Sequence, residues 1–125
     1  MNEPNARDEL FSACNELNSL WKQLEVKFTG IYMSFPTRVE LQPVPTPLYL
    51  GWHKVKGEWR VCLGRQAETG GWDWKPILEC PIEIRVEAVA HIRILEKELI
   101  RLRQEFLPRV REAVNSLREI VEYRE

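Results

Sequence analysis

Residues 48–65, LYLGWHKVKGEWRVCLGR, hold the reading that decides the fold. A two-residue turn at Lys56-Gly57 sets Val55 against Glu58, Lys54 against Trp59, Trp52 against Val61 and Leu50 against Leu63. In that register one face carries Leu48, Leu50, Trp52, Trp59, Val61 and Leu63, and the other shows Tyr49, His53, Val55, Glu58, Arg60 and Cys62. A nearly apolar face opposed to a mixed one is the pattern of an antiparallel hairpin buried on one side. Trp52 and Trp59 fall on the apolar side, which marks them as core residues under a helix.

Working outward, Arg65 to Gly71 reads as a loop ending in Gly70-Gly71, and Trp72 to Glu79 as a further strand that Pro76 confines to an edge. Upstream, Ile31, Met33 and Phe35 alternate with polar or smaller neighbours, and Val39 and Leu41 continue the pattern after Pro36. That predicts an edge strand or two short pieces. Pro43, Pro45 and Pro47 alternate with Val44 and Thr46, giving a stiff connector over residues 43–47. The span 31–79 therefore reads as a β meander of three or four antiparallel strands.

Helical spacing flanks the meander on both sides. Over residues 5–28, Leu10, Cys14, Leu17, Trp21, Leu24 and Phe28 recur at steps of four and three. Asn5 can cap this helix, Asp8 and Glu9 suit its first turn, and Thr29-Gly30 is the expected stop. Over residues 81–124, Ala88, Ile92, Leu95, Leu99, Leu102 and Phe106 keep the same spacing, and Val110, Val114, Leu117 and Val121 resume it one residue out of phase. Residues 82–88 alternate strictly enough for a strand, but Pro81 at a first helical position, with Glu83 and Glu87 at the positive end of the dipole, selects a helix. Pro108 has no amide hydrogen and its ring crowds the preceding turn, so a kink or a break is expected there, the kink being favoured because no glycine lies between Glu83 and Glu125. The fold expected is a single α+β domain over residues 1–125: an N-terminal helix, a small antiparallel three- to four-stranded meander, and a long C-terminal helix kinked or broken near Pro108.

Two apolar seams of equal period are natural partners, so the N-terminal helix is expected to pack on the first half of the C-terminal one. That leaves Val110, Val114, Leu117 and Val121, with Leu99, Leu102 and Phe106, as the expected interface of a homo-oligomer, a dimer being favoured. Trp72 and Trp74, on a proline-bearing edge after a glycine loop, are the candidate contacts for a protein partner or ligand, together with His53 and Arg60.

Composition bounds the rest. Eighteen Lys plus Arg against nineteen Asp plus Glu give a net charge of −1, so there is no global drive toward nucleic acid or an anionic membrane. No apolar run spans a membrane and the first residues lack a signal pattern, so a soluble cytoplasmic protein is expected. Cys14, Cys62 and Cys80 are odd in number and widely spaced, which argues against a disulfide framework. Cys80, just ahead of Pro81, is the cysteine best placed for a lowered pKa. With His53 and His91 as the two histidines and no Cys-x-x-Cys, neither metal nor cofactor is expected. No phosphate loop, nucleophile elbow, His-Glu-x-x-His or dinucleotide fingerprint is present, which leaves an enzyme without its vocabulary. The favoured function is a non-catalytic interaction or regulatory protein that self-associates through helical seams and presents a Trp-bearing β surface. The alternatives are nucleic-acid binding through Lys54, Lys56, Arg60 and Arg65, and binding of a small ligand or nucleotide in a cleft between sheet and C-terminal helix.

Overall fold

The computed structural model describes residues 3–32, 36–42 and 47–123, with side chains from Ala6 onward. In chain order it comprises α1 (Glu3–Tyr32), β1 (Thr37–Gln42), β2 (Leu48–Val55), β3 (Glu58–Gln66), β4 (Trp72–Pro76), a 3-10 turn (Ile77–Glu79), α2 (Ile82–Val89) and α3 (Ile92–Glu122). The four strands form one antiparallel sheet in the order β1-β2-β3-β4. At its centre the hairpin has the register its pattern dictates: Val55 opposes Glu58, Trp52 opposes Val61 and Leu50 opposes Leu63. Lys56 and Gly57 both take positive φ, 50° and 86°, the type I′ geometry whose twist matches that of the strands.

The face carrying Leu50, Trp52 and Val61 is covered by helices. Phe28 of α1, Ala88 of α2, Leu95 and Leu99 of α3, and Ile77 of the 3-10 turn close on it with no exposed surface. Phe28 meets Trp52 edge to face at 5.6 Å and Tyr32 at 5.3 Å. One polar contact locks α1 to the sheet. β4 ends at Pro76, opposite Cys62, so the edge of β3 beyond that point has no strand beside it. Val61 holds a non-hydrogen-bonded position opposite Trp52, so its N–H points away from β2 toward the bare edge. Glu25, only 8% exposed, supplies the missing acceptor: its Oε2 accepts from Val61 N and from Arg60 Nε, each at 2.8 Å.

Several expectations are corrected. Thr29-Gly30 does not stop the first helix, which continues to Tyr32 because that ring is buried against Phe28. The Thr29 hydroxyl donates back to the Glu25 carbonyl instead of starting a turn. Ile31 is thus helical, the strand begins at Thr37, and Met33, Phe35 and the prolines at 43 and 45 lie outside the described residues. The interruption in the C-terminal helical region falls at 90–91, between α2 and α3, while α3 runs without a break through Pro108. The carbonyl that Pro108 leaves without its amide partner belongs to Gln104, which is exposed, so water can satisfy it. Leu99 is not an interface residue: it is fully buried in the chain's own core, with Leu102 half-buried beside it. Nor do the two long helices pair along the whole of their seams: Leu10 is 68% exposed, and the helices meet where both lie on the sheet, with Phe28, Leu95 and Leu99 in one core and Lys27 paired with Glu96 at 3.5 Å.

Three contacts give the helices their directions. Thr29 and Gly30 line a cleft with Gly57 and Glu58, while Glu25 sits at Val61, so α1 runs toward the hairpin turn. The Gln42 amide donates to the Glu87 carboxylate, placing the end of α2 at the end of β1. The Tyr32 phenol is held above its ordinary range by burial and by Glu96, with Arg103 opposing, so α3 passes from the end of β1 back toward its start. Both helices therefore run parallel to β2. The N-terminal half of α1 leaves the sheet at the end opposite the turn, and the C-terminal half of α3 leaves beyond the turn.

Two stability measurements check this account. Glu25→Ala should lower unfolding stability by about 2–3 kcal/mol in a denaturant titration, because it strands a buried N–H and a half-buried guanidinium; a loss within the noise would mean the bare edge is satisfied otherwise. Lys56→Asn should raise stability by roughly 0.5–1 kcal/mol, since asparagine tolerates the left-handed conformation better than lysine.

Candidate functional site

Among the described residues no helix covers the other sheet face, and strand alternation puts Arg38, Tyr49, Gly51, His53, Gly64, Trp72 and Trp74 on it. Trp74 stands with its six-membered ring on the backbone of two glycines. A Cβ on Gly51 would lie 2.6 Å from that ring, and one on Gly64 closer still. Strand glycines of this kind mark a close approach, and here the approaching group is an indole. Trp74 then stacks on His53 at 4.1 Å and 18°, and on Trp72 at 5.5 Å and 15°. The Arg38 guanidinium caps Trp72 at 4.3 Å, and Tyr49 meets Trp72 edge-on at 5.2 Å. The result is a column in the order His53, Trp74, Trp72, Arg38, drawn from β2, β4 and β1.

Three of the four expected contact residues, His53, Trp72 and Trp74, are thus brought together. Arg60 is not with them, because its guanidinium is drawn to Glu25 on α1 and is raised above its ordinary pKa range by that hydrogen bond. Arg38 and Tyr49 complete the site and were not singled out. Gly51 and Gly64 carried a readable signal, a glycine on each strand of one hairpin face, whereas nothing in the local pattern marked Arg38. The indole faces are largely engaged within the chain, so what the column offers a partner is ring edges and one cation rather than an open slot for a base.

The remaining candidates are dispersed or spent. Lys54 and Arg65 alternate onto the opposite side of the sheet from Arg60, and Lys56 lies in the turn, so the four cations expected to hold nucleic acid make no single patch. The cleft expected between sheet and C-terminal helix is filled by Leu50, Trp52, Leu95 and Leu99, none of which has exposed surface. Cys62, expected on an outer face, is fully buried; its thiol donates to the Gly51 carbonyl at 3.5 Å, and burial pushes its pKa up to about 12. Cys80 is likewise buried, with its thiol on the Pro76 carbonyl, and burial raises its pKa where the helix start was expected to lower it. His91 sits at the α2–α3 junction with Nδ1 3.4 Å from the Glu87 carbonyl, far in the chain's architecture from the column. Among the described residues no His, Cys, Asp and Glu side chains gather as a metal would require, and no helix is long and apolar enough to cross a membrane.

Within the column, burial and then the charge of Arg38 lower the pKa of His53. The unfolded chain binds that proton at the ordinary imidazole value of about 6.5, so it takes up protons at a pH where the folded chain does not. The stabilisation is therefore complete above that value and is lost as pH falls through it toward the lowered folded value. Melting temperature should drop across this interval for the native chain. His53→Phe, which keeps a stacking ring and removes the proton, should flatten the drop, and an equally steep fall in that variant would show that His53 does not set it.

No family model, no curated protein and no solved structure matches the chain.

Proposed function

We propose that this protein is a non-catalytic interaction module that self-associates through α3 and presents its aromatic sheet face to a protein partner. The observation that carries this reading is the bare half of α3. From Arg103 to Tyr123 every residue is exposed, and at about 1.5 Å per residue that stretch projects roughly 30 Å past the sheet. Its apolar side chains are not scattered. Leu107, Val110, Val114, Leu117 and Val121 recur at steps of three and four, with exposures of 42, 40, 46, 60 and 74%. Phe106, Ala113 and Ile120 widen the stripe to three positions in seven, the width of a helix that faces a bundle core. Phe106, Val110, Ala113, Val114 and Leu117 also border a shallow apolar groove. A contiguous apolar surface of this kind, rimmed by arginine and glutamate, is uncommon on chains that remain monomeric.

The column on the sheet face supports the second half of the reading. Its rings are held rigidly by glycine slots and mutual stacking, so a partner that covers their edges would pay little to order them. The dispersal of Lys54, Lys56, Arg60 and Arg65 favours a protein partner over a nucleic acid.

Light scattering tests the self-association. The 14.8 kDa chain should exceed its monomer mass at tens of micromolar. Val114→Glu with Leu117→Glu should return it to a monomer while leaving the sheet domain's unfolding stability within about 0.5 kcal/mol, since both positions are exposed. A native chain that stays monomeric in that range removes the reading.

A further inference from the structure

We infer that the exposed half of α3 docks on the exposed N-terminal half of α1 of a second copy, the two helices running parallel. This rests on the self-association proposed above and names the surface that meets α3.

α1 has a largely uncovered seam of its own. Leu10, Ala13, Leu17 and Leu20 follow the three-four spacing of a heptad, with Leu10 68% and Leu20 53% exposed, Ala13 exposed, and Leu17 half-buried where the seam borders the chain's own core. The seam of α3 is Leu107, Val110, Val114 and Leu117, with the same spacing in the same phase. One chain cannot bring the two together, because both helices run toward the hairpin turn and their bare halves leave the sheet at opposite ends. A second copy can.

The flanking charges choose among the pairings a second copy allows. On α1, Glu9 and Glu16 each immediately precede a seam leucine, the g position of the heptad. On α3, Arg111 and Arg118 each immediately follow a seam residue, the e position. All four side chains are exposed, and none is in an ion pair among the described residues. In parallel helices the g residue of one meets the e residue of the next heptad on the other. Aligning Leu10 with Leu107 therefore sets Ala13 on Val110, Leu17 on Val114 and Leu20 on Leu117, and brings Glu9 to Arg111 and Glu16 to Arg118. Pairing α3 with itself does worse in both directions. Parallel, it puts the two arginines against Phe106 and Ala113; antiparallel, it puts them against each other. Pairing α1 with itself leaves the glutamates facing Cys14 and Trp21, or one another. The mixed pair alone matches both charges.

Because the helices are parallel within the chain and parallel across the contact, each copy offers one bare half-helix at each end. The contact is heterologous and does not close at two copies, so assembly proceeds head to tail.

The test is sedimentation or light scattering of the full chain over a range of concentrations. The native chain should show a mass that climbs past the dimer. Glu9→Arg with Glu16→Arg should weaken association by about tenfold or more, as should Arg111→Glu with Arg118→Glu, through like-charge contacts at the interface. An equimolar mixture of the two double variants should recover the native behaviour, since each copy then meets the opposite sign at both ends. Circular dichroism guards against misfolding, and all four substitutions lie on exposed helical faces. If reversal of Glu9 and Glu16 leaves association intact while Val114→Glu with Leu117→Glu abolishes it, α3 self-associates by another route and this inference falls alone. A mass that stops at the dimer overturns the head-to-tail arrangement, and a monomer throughout overturns both readings.

Discussion

The type I′ turn at Lys56 and Gly57 sets Val55 against Glu58, and the placement of the whole sheet follows from that pairing. Side-chain alternation has no intermediate setting: a slip of one residue would carry Trp52, Leu50, Val61 and Leu63 to the water side together. The same register decides which backbone groups of β3 point outward. It turns the Val61 N–H toward the edge where β4 has ended, and so creates a place on the sheet where a buried acceptor is needed from elsewhere. Glu25 meets that need from α1, and Arg60 beside it keeps the buried carboxylate paired. The angle at which α1 crosses the sheet is thus tied, through one carboxylate, to a two-residue turn more than thirty positions away in sequence.

The two sheet faces are covered by different means. Helices bury the inner one, where large side chains meet at close packing. The outer face has no helix, and β4 lies at the rim with two tryptophans, so the sheet covers itself by laying those rings inward across β3 and β2. That works only if the strands beneath are thin, and Gly51 and Gly64 make them so. Either glycine would weaken an ordinary strand. Here each loses a side chain of its own and gains a large indole from a neighbouring strand. His53 and Arg38 at the two ends complete the stack and keep its polar termini in contact with water.

Local pattern carried the hairpin, its register and the helical type of α1, α2 and α3, because those depend on residues close in sequence, whereas the strand expected over Trp72 to Glu79 ends at Pro76 and gives way to a 3-10 turn. The errors came where a distant contact overrode a local signal. Gly30 is a good helix stop in isolation, but the burial of Tyr32 keeps the helix going for another half turn. Pro108 is a different case: α3 continues through it, the outcome that the lack of a nearby glycine favoured over a break, and the freed carbonyl of Gln104 is exposed where water can reach it. Residues 90 and 91 offered no breaker, and the separation of α2 from α3 answers to packing on the sheet end, with Gln42 bound to Glu87. Cys80 was judged by its neighbour Pro81 alone, and its burial under the sheet edge could not be read from that. The column was half legible: the tryptophans and His53 stood out as residue types, whereas Arg38 reaches them only through the pairing of β1 with β2.

The matched stripes of α1 and α3 do not make the two helices partners, because the period of a seam says that a helix needs a partner and is silent on which. Reading them as partners within one chain assumed that equal length implies adjacency. The directions of the two helices rule that out over their bare halves, which leaves each half with an apolar face and no cover. A helix of that length without tertiary support is marginal in water. Ion pairs such as Arg101 with Glu98 and Glu105 lie near the root of the α3 extension and are exposed, so water and salt screen them and they add little. On the proposed docking, therefore, the same contact that covers the stripes also supplies most of what keeps these halves helical, and ordering and association are one equilibrium. The entropy of fixing some fifteen residues on each side then opposes the burial of the seam, which makes the assembly sensitive to small changes in either term. Two charge pairs at the flanks, modest in themselves, are of the right size to decide whether copies join.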